Sequence, residues 1–215
     1  MYRERSLIIK TRAHCNESQN PSPLRLGIMC TGTTFTEWQA RCLEHLLALD
    51  SVQVALLIID DSDSPTIINK IIKVLTSPNR ILFYLFIQFV CRPRANRRVD
   101  MTNLFSGVSR IYCKVIKKGK FFQYFNEIDI ETIRRYDLDL NLRFAFGIVR
   151  GEILNTARYG VWSFHHSDEN KYRGTPPCFW EIYNEDDVTG AILQRLTARL
   201  DGGIVLKKGF FRTVK

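Results

Sequence analysis

The spacing of apolar positions changes twice within the first sixty residues. Residues 24–32, LRLGIMCTG, are a nearly continuous apolar run closed by Thr-Gly, the pattern of a strand buried on both faces. Phe35, Trp38, Cys42, Leu46 and Leu49 then recur at helical spacing, which lines one face of a helix. Thr34 and Glu37 ahead of them have capping-box spacing, which satisfies free N–H groups at a helix start. Residues 52–61, VQVALLIIDD, are again continuously apolar before two acids. Strand, helix and strand of these lengths predict a βαβ unit, and with it a parallel sheet.

Later segments repeat these patterns. TIINKIIKVL (66–75) reads as helical. RILFYLFIQFVC (80–91) is too short to span a bilayer. Gln88 is its only interior polar residue, which favours a core element over an interfacial helix. In 110–126, two β-prone runs flank Lys-Lys-Gly and predict a hairpin. EIDIETIRRYD predicts an amphipathic helix, LDLNLRFAFG a strand, RGEILNTARYG a short helix ended by Gly160, and VWSFHHSD a strand. From Val188 onward, two strands flank a turn-rich loop, Thr197 to Gly203. Residues 1–23 are polar, contain prolines and lack a secretory core, and read as a flexible N-terminal arm. Residues 24–215 then form one domain.

Composition adds two constraints. The six cysteines at 15, 30, 42, 91, 113 and 178 form no CxxC pair. That spacing is expected of reduced cysteines in a cytoplasmic protein, with no metal site or disulfide framework. The net charge of +9 is concentrated in 92–120, where nine basic residues stand against Asp100. Such a segment suits an anionic partner or a solvated loop equally.

Candidate chemistry gathers at strand ends. Alternation puts Ser163 and His165 on one face of their strand, and Phe164 and His166 on the other. Ligands of open α/β sheets bind outside the carboxyl ends of strands, so a hydroxyl and an imidazole can reach one cleft. Asp201 lies in a loop before Gly202-Gly203, where backbone can approach closely. A carboxylate beside an imidazole orients it and raises its pKa. CTGTTF is neither GxGxxG nor a P-loop, but a helix start behind a strand can hold a phosphate. Thr31, Gly32 and Thr33 are therefore candidates for substrate binding.

Residues 142–206 resemble the folate-dependent formyltransferases, a family that includes glycinamide ribonucleotide, methionyl-tRNA and sugar N-formyltransferases and the related formyltetrahydrofolate deformylases. The resemblance rests on Ser163-Phe164-His165, then Tyr172-Arg173-Gly174, then Pro177, Trp180 and Asn184. Thr189-Gly190 and Leu200-Asp201-Gly202-Gly203 follow. The family pattern begins Asn-x-His, so Ser163 is a departure. The match is less distinctive in LRLGIMCTGTTF and absent from 62–125, where an insertion within 66–120 is expected.

The resemblance implies a Rossmann-like, mostly parallel open sheet with helices on both faces. It implies 10-formyltetrahydrofolate as co-substrate, a primary amine as acceptor, and no metal. His165 and Asp201 take the family's catalytic histidine and aspartate positions, and Ser163 that of the asparagine. Phe146, Gly147 and Val149, with Leu196, Thr197 and Leu200, take the positions that hold the pterin. Arg173 contacts substrate or anchors its loop, His166 supports His165, and Trp180 packs in the core. The acceptor is a small amine such as a nucleotide-sugar, or a tRNA held by 92–120. The chain ends soon after Gly203, so the C-terminal RNA-binding domain of methionyl-tRNA formyltransferases is expected to be absent. Ser163 leaves two alternatives open, a weakened or inactive binding module and a formyltetrahydrofolate hydrolase resembling the deformylases in its His-His-Ser.

Overall fold

A computed structural model describes residues 22–62, 94–119, 121–172, 178–200 and 202–213. The first apolar run is strand β1 (Leu24–Cys30), buried from Leu26 to Cys30. A three-residue strand, β2 (Thr34–Thr36), precedes helix α1 (Glu37–Leu47). The helix therefore starts later than the Thr34–Glu37 spacing predicts. Its N-cap is Thr36, whose backbone N–H donates to Gln39 Oε1 at 3.0 Å. Leu43 is fully buried beneath α1, while Trp38 stays partly exposed near its start. Strand β3 (Val52–Asp60) completes the βαβ unit and pairs parallel to β1.

The helical reading of 66–75 and the apolar run 80–91 fall outside the described residues. The described part of the basic segment divides among separate elements. Strand β4 (Arg98–Asp100) pairs with β2, β5 (Ser109–Cys113) joins the main sheet beside β3, and β6 (Ile116–Lys118) starts a hairpin. Its partner β7 (Phe122–Tyr124) makes the turn expected at Lys-Lys-Gly. Arg97 and Arg98 share a shallow groove with Arg41, but also with Glu37, Glu44 and Asp100. The described part of the segment is therefore not one uniform basic face.

Helix α2 (Glu127–Arg134) is capped by Asn126, whose side chain accepts from the backbone N–H of Asp129 at 2.8 Å. Strand β8 (Leu140–Arg143) follows, then β9 (Ile148–Arg150), a 3-10 turn at Gly151–Asn155 and strand β10 (Val161–His166). The short helix expected near 150–160 is thus a 3-10 turn. Helix α3 (Phe179–Tyr183) and strands β11 (Val188–Arg195) and β12 (Ile204–Arg212) complete the described chain.

The main sheet has the order β12-β11-β10-β8-β1-β3-β5. Its five strands from β10 to β5 are parallel, and β11 and β12 run antiparallel at one edge. This is a Rossmann-like, mostly parallel open sheet. One core layer joins Met29, Leu56 and Ile58 to Ile130 and Ile133 of α2. The other joins Ile28, Leu57 and Phe105 to Ala40 and Leu43 of α1. Helices therefore cover both faces, which is why β1 and β3 need no polar alternation. Fully burying each Leu or Ile contributes about 1.5–3 kcal/mol.

The chain leaves β1 towards β3 on one side and returns to β8 on the other. That reversal opens a crevice at the carboxyl ends of β1 and β8. A second sheet has the order β6-β7-β9, and residues of β9 line one cavity with the end of β10. Cys30 and Cys113 are buried, and Cys42 and Cys178 half-buried, all as free thiols. Burial pushes the Cys30 thiol up to about 11 and the Cys113 thiol further in the same direction. Such thiols are packing residues, not nucleophiles.

Candidate functional site

A cleft of about 470 Å³ opens between β9, the carboxyl end of β10 and the loop from Leu196 to Gly203. His165 lines it, together with Gly147, Val149, Leu196, Thr197 and Leu200. The histidine and five of the six predicted pterin positions, up to 53 residues apart in sequence, thus share one cavity. Phe146 contributes differently. Its ring packs on Phe125 with centroids 5.0 Å apart, within the core.

Both histidines reach the cleft. Their rings meet edge to face, with centroids 4.6 Å apart. Strand alternation assigns their side chains to opposite faces, but β10 ends at His166, and the cavity wraps around that end. Phe164 turns towards α1, stacking on Phe144 and meeting Trp38 edge-on. These rings wall one side of the histidine end.

Ser163 is only 1% exposed and does not line the cleft. It sits beside Arg143 of the neighbouring parallel strand. Arg143 Nε and Nη2 donate to Ser163 Oγ at 3.2 and 2.8 Å. Nη1 donates to the carbonyls of Phe146 and Gly147 at 3.0 and 2.8 Å. Those carbonyls belong to a bent turn in which Phe146 has φ +66°. A non-glycine residue there costs about 1–2 kcal/mol and needs outside support. Gln123 of β7 supplies more of it, accepting from the Gly147 N–H. Desolvation depresses the Arg143 guanidinium below its ordinary value.

The segment after β10 is also fixed. Ser167 turns the chain with φ +68°. Asp168 accepts from the Asn170 backbone N–H, and Lys208 of β12 bridges Asp168 at 3.0 Å and Glu169 at 2.7 Å. The Asn170 N–H and Lys208 together hold the Asp168 carboxyl below the usual range. Tyr172 donates to Asp186 at 2.9 Å. Glu169 and Tyr172 line the cleft together with Arg150 and Arg199. Arg150 ties β9 to the 196–203 loop through the Thr197 carbonyl, and Thr197 Oγ1 closes that loop on the Gly202 carbonyl at 2.8 Å.

Asp201 and Arg173 are outside the described residues. Thr31, Gly32 and Thr33 follow β1 at the crevice but do not line this cavity. Thr33 is tied to Thr102, and the first N–H of α1 is taken by the Arg97 carbonyl. Trp180 is 42% exposed, so core packing does not hold for it. It forms an exposed aromatic group with Phe179 and Tyr183 on α3. A wider hollow of about 840 Å³ opens where the chain enters β8 and β10, lined by Leu138, Gly160 and Arg195. It lies away from the histidines, at the end of the sheet where such folds do not place their chemistry.

Sequence reading missed Arg143, Gln123 and Lys208. Arg143 had a usable signal: it is the only charged residue within the apolar run LNLRFAFG, and a charge in a buried strand needs a partner or a function. Gln123 and Lys208 carry no such signal, because only tertiary pairing brings them to the site.

No family model matches the chain. It is 35% identical over 85 residues to methionyl-tRNA formyltransferase of Agathobacter rectalis, covering 39% of this chain and 27% of that protein. It is 37% identical over 82 residues to the enzyme of that name from Prochlorococcus marinus, covering 37% and 24%. The aligned region is thus about a quarter of those relatives' length. Among solved structures, phosphoribosylglycinamide formyltransferase of Anaplasma phagocytophilum superposes with a TM-score of 0.54 at 14% identity, covering 90% of this chain and 74% of that one. A formyltetrahydrofolate deformylase from Pseudomonas syringae gives 0.52 at 13%, covering 90% and 52%. The latter two likenesses concern the fold, whereas the segment shared with the first two is a likeness of sequence. Taken together, the chain shares the fold of folate-dependent formyltransferases, and a segment of about 85 residues resembles methionyl-tRNA formyltransferases in sequence.

Proposed function

We propose that the chain transfers a formyl group from 10-formyltetrahydrofolate to a primary amine, with His165 and Asp201 as the catalytic acid–base pair. The observation that carries this reading is the convergence of His165, Gly147, Val149, Leu196, Thr197 and Leu200 on one cleft. Its volume suits a small-molecule site. Ile148, Leu196 and Leu200 offer apolar surface for a flat ring, with Gly147, Val149 and Thr197 around it. The 10-formyl group then lies at the histidine end.

The amine attacks the formyl carbon and creates a tetrahedral centre with a negative oxygen. The attacking nitrogen must lose a proton and the leaving nitrogen must gain one. His165 at the cleft is suited to that transfer, oriented by the Asp201 carboxylate. Donors fixed before reaction stabilise the oxygen without reorganisation. The acceptor approaches from the Thr31–Thr33 turn, with Arg173 a candidate contact. A small amine such as a nucleotide-sugar fits the mixed charge of the Arg97–Arg98 groove better than a long polyanion, which would need a uniform basic track. A cytoplasmic setting, where folates and reduced thiols coexist, goes with this reading.

Purified protein incubated with 10-formyltetrahydrofolate and a panel of amines tests it. Donor consumption that requires an amine, and falls in His165→Ala, supports transfer. Donor consumption without an amine supports the hydrolase instead. Folate binding without consumption identifies a binding module, and no binding removes all three.

A further inference from the structure

Arg143 is a half-buried cation at the cleft beside the histidine strand. Among the described residues no carboxylate pairs with it. Its partners are one hydroxyl, Ser163 Oγ, and two carbonyls, those of Phe146 and Gly147. These neutral groups fix its direction without cancelling its charge. A guanidinium has five N–H groups. Four are engaged here, one through Nε, two through Nη1 and one through Nη2. The remaining Nη2 hydrogen has no acceptor among the described residues. Holding a cation among neutral partners in a desolvated place is costly, and such groups gather where charge develops during a reaction. Ser163 and His165 are two residues apart on one strand face, roughly 7 Å along it. The guanidinium bound to Ser163 therefore lies within reach of an oxygen bound beside His165.

We propose that Arg143 is the fixed positive donor that stabilises the oxygen turning negative beside His165, and that Ser163 is its positioning residue. The proposal rests on the formyl-transfer reading of the same cleft. Ser163 then acts through Arg143 instead of touching the reacting atoms. The same guanidinium also holds the Phe146–Gly147 turn, so the wall that receives the donor and the charge that serves its reaction are set by one side chain. A lysine cannot reproduce this, because an ammonium lacks the planar fork that reaches the hydroxyl and both carbonyls together. An asparagine at position 163 would be larger than serine in a site already filled by the guanidinium.

The test measures kcat and KM for the donor in wild type, Arg143→Met, Arg143→Lys, Ser163→Ala, Ser163→Asn and the double variant Arg143→Met/Ser163→Ala. Folate binding and thermal melting are followed in parallel. Removing a fixed donor of this kind lowers kcat by about 10²–10³, so Arg143→Met is expected to fall at least 100-fold. Arg143→Lys is expected between it and wild type, and Ser163→Asn below wild type. Ser163→Ala lowers kcat in the wild-type background and has no further effect once Arg143 is methionine, as expected of groups acting as one unit. Should Arg143→Met fail to fold, a lower kcat in Ser163→Ala with KM nearly unchanged, together with a lower kcat in Arg143→Lys, decides the matter. A folded Arg143→Met within threefold of wild-type kcat overturns the proposal, as does a Ser163→Ala effect equal in both backgrounds or a gain in Ser163→Asn. Wild-type protein without donor turnover overturns the formyl-transfer reading itself and the proposal with it.

Discussion

Replacing Gly190 by alanine probes how closely β11 supports the histidine end of β10. Gly190 is buried on β11 and pairs with Phe210 of β12. A Cβ at this position would lie 2.7 Å from the backbone nitrogen of Asp168, 3.0 Å from its Cα and 3.1 Å from the carbonyl carbon of Ser167. All three are backbone atoms of the bend that follows His166, and none can rotate away. Restoring ordinary contact at 3.4 Å requires a movement of about 0.7 Å. Gly190 does not occupy the left-handed region, so the penalty comes from contact alone. Overpacking of this kind costs about 1–3 kcal/mol. A displacement near 1 Å at a reacting group costs up to about 100-fold in rate, so a loss of roughly tenfold in donor turnover is expected. Urea unfolding gives the first quantity and single-turnover donor consumption the second. Gly203→Ala serves as the comparison. Its nearest contact is the Gln194 Oε1 at 2.3 Å, the end of a flexible side chain, so a smaller stability loss is expected. Gly190→Ala within about 0.5 kcal/mol of wild type, the range of neutral surface changes, and with unaltered turnover, would refute the reasoning.

Other expectations follow from the same geometry. Gly27→Ala places a Cβ 2.1 Å from Asn141 Oδ1 and 2.8 Å from Leu138 Cδ1 between β1 and β8. Asn141 is wholly buried and its amide is held by Thr156 at 3.0 Å, so a loss of about 1–3 kcal/mol is expected by chemical denaturation. The Lys208–Asp168 pair has a defined pH signature. The folded Asp168 carboxyl is held low, so its contribution is full above the unfolded value of about 3.9 and is lost as pH falls through the lower folded value. The Lys208 ammonium is raised by Glu169 first and then Asp168, so its contribution is full below about 10.4 and is lost as pH rises through the higher folded value. Melting temperature against pH should fall at both ends, and Lys208→Met should remove this alkaline contribution but only weaken the acid one, because the Asn170 N–H still holds Asp168.

The parallel sheet was legible because β1 and β3 are buried on both faces and leave continuous apolar runs. The Thr197–Gly203 loop and the 110–126 hairpin were legible for the complementary reason, since turn residues interrupt strand patterns. The start of α1 was misplaced because Thr34, Thr36, Glu37 and Gln39 offer overlapping capping spacings. The pairing of β2 with β4, a contact across more than sixty residues, selects the later one. Trp180 illustrates a different limit, because an aromatic in a short helical pattern does not reveal which way its helix faces. At the site, His165 and both backbone segments were nominated through their resemblance to a known family, and the structure brings His165 onto one cleft with most of those positions. The partner of Ser163 was not, because side-chain pairing across adjacent parallel strands leaves no periodic trace in sequence. That pairing changes the meaning of the serine. Ser163 accepts from the Arg143 guanidinium, and its proposed role is to position that charge.

The most direct test of formyl transfer at this cleft is donor turnover in wild type and His165→Ala, with folate affinity measured on both by calorimetry. Wild type should convert 10-formyltetrahydrofolate to tetrahydrofolate only when an acceptor amine is supplied. His165→Ala should bind the folate with near-wild-type affinity yet turn over at least 100-fold more slowly, the contribution expected of one positioned acid–base group. Equal turnover in the two proteins, or no folate binding by wild type, would contradict the account.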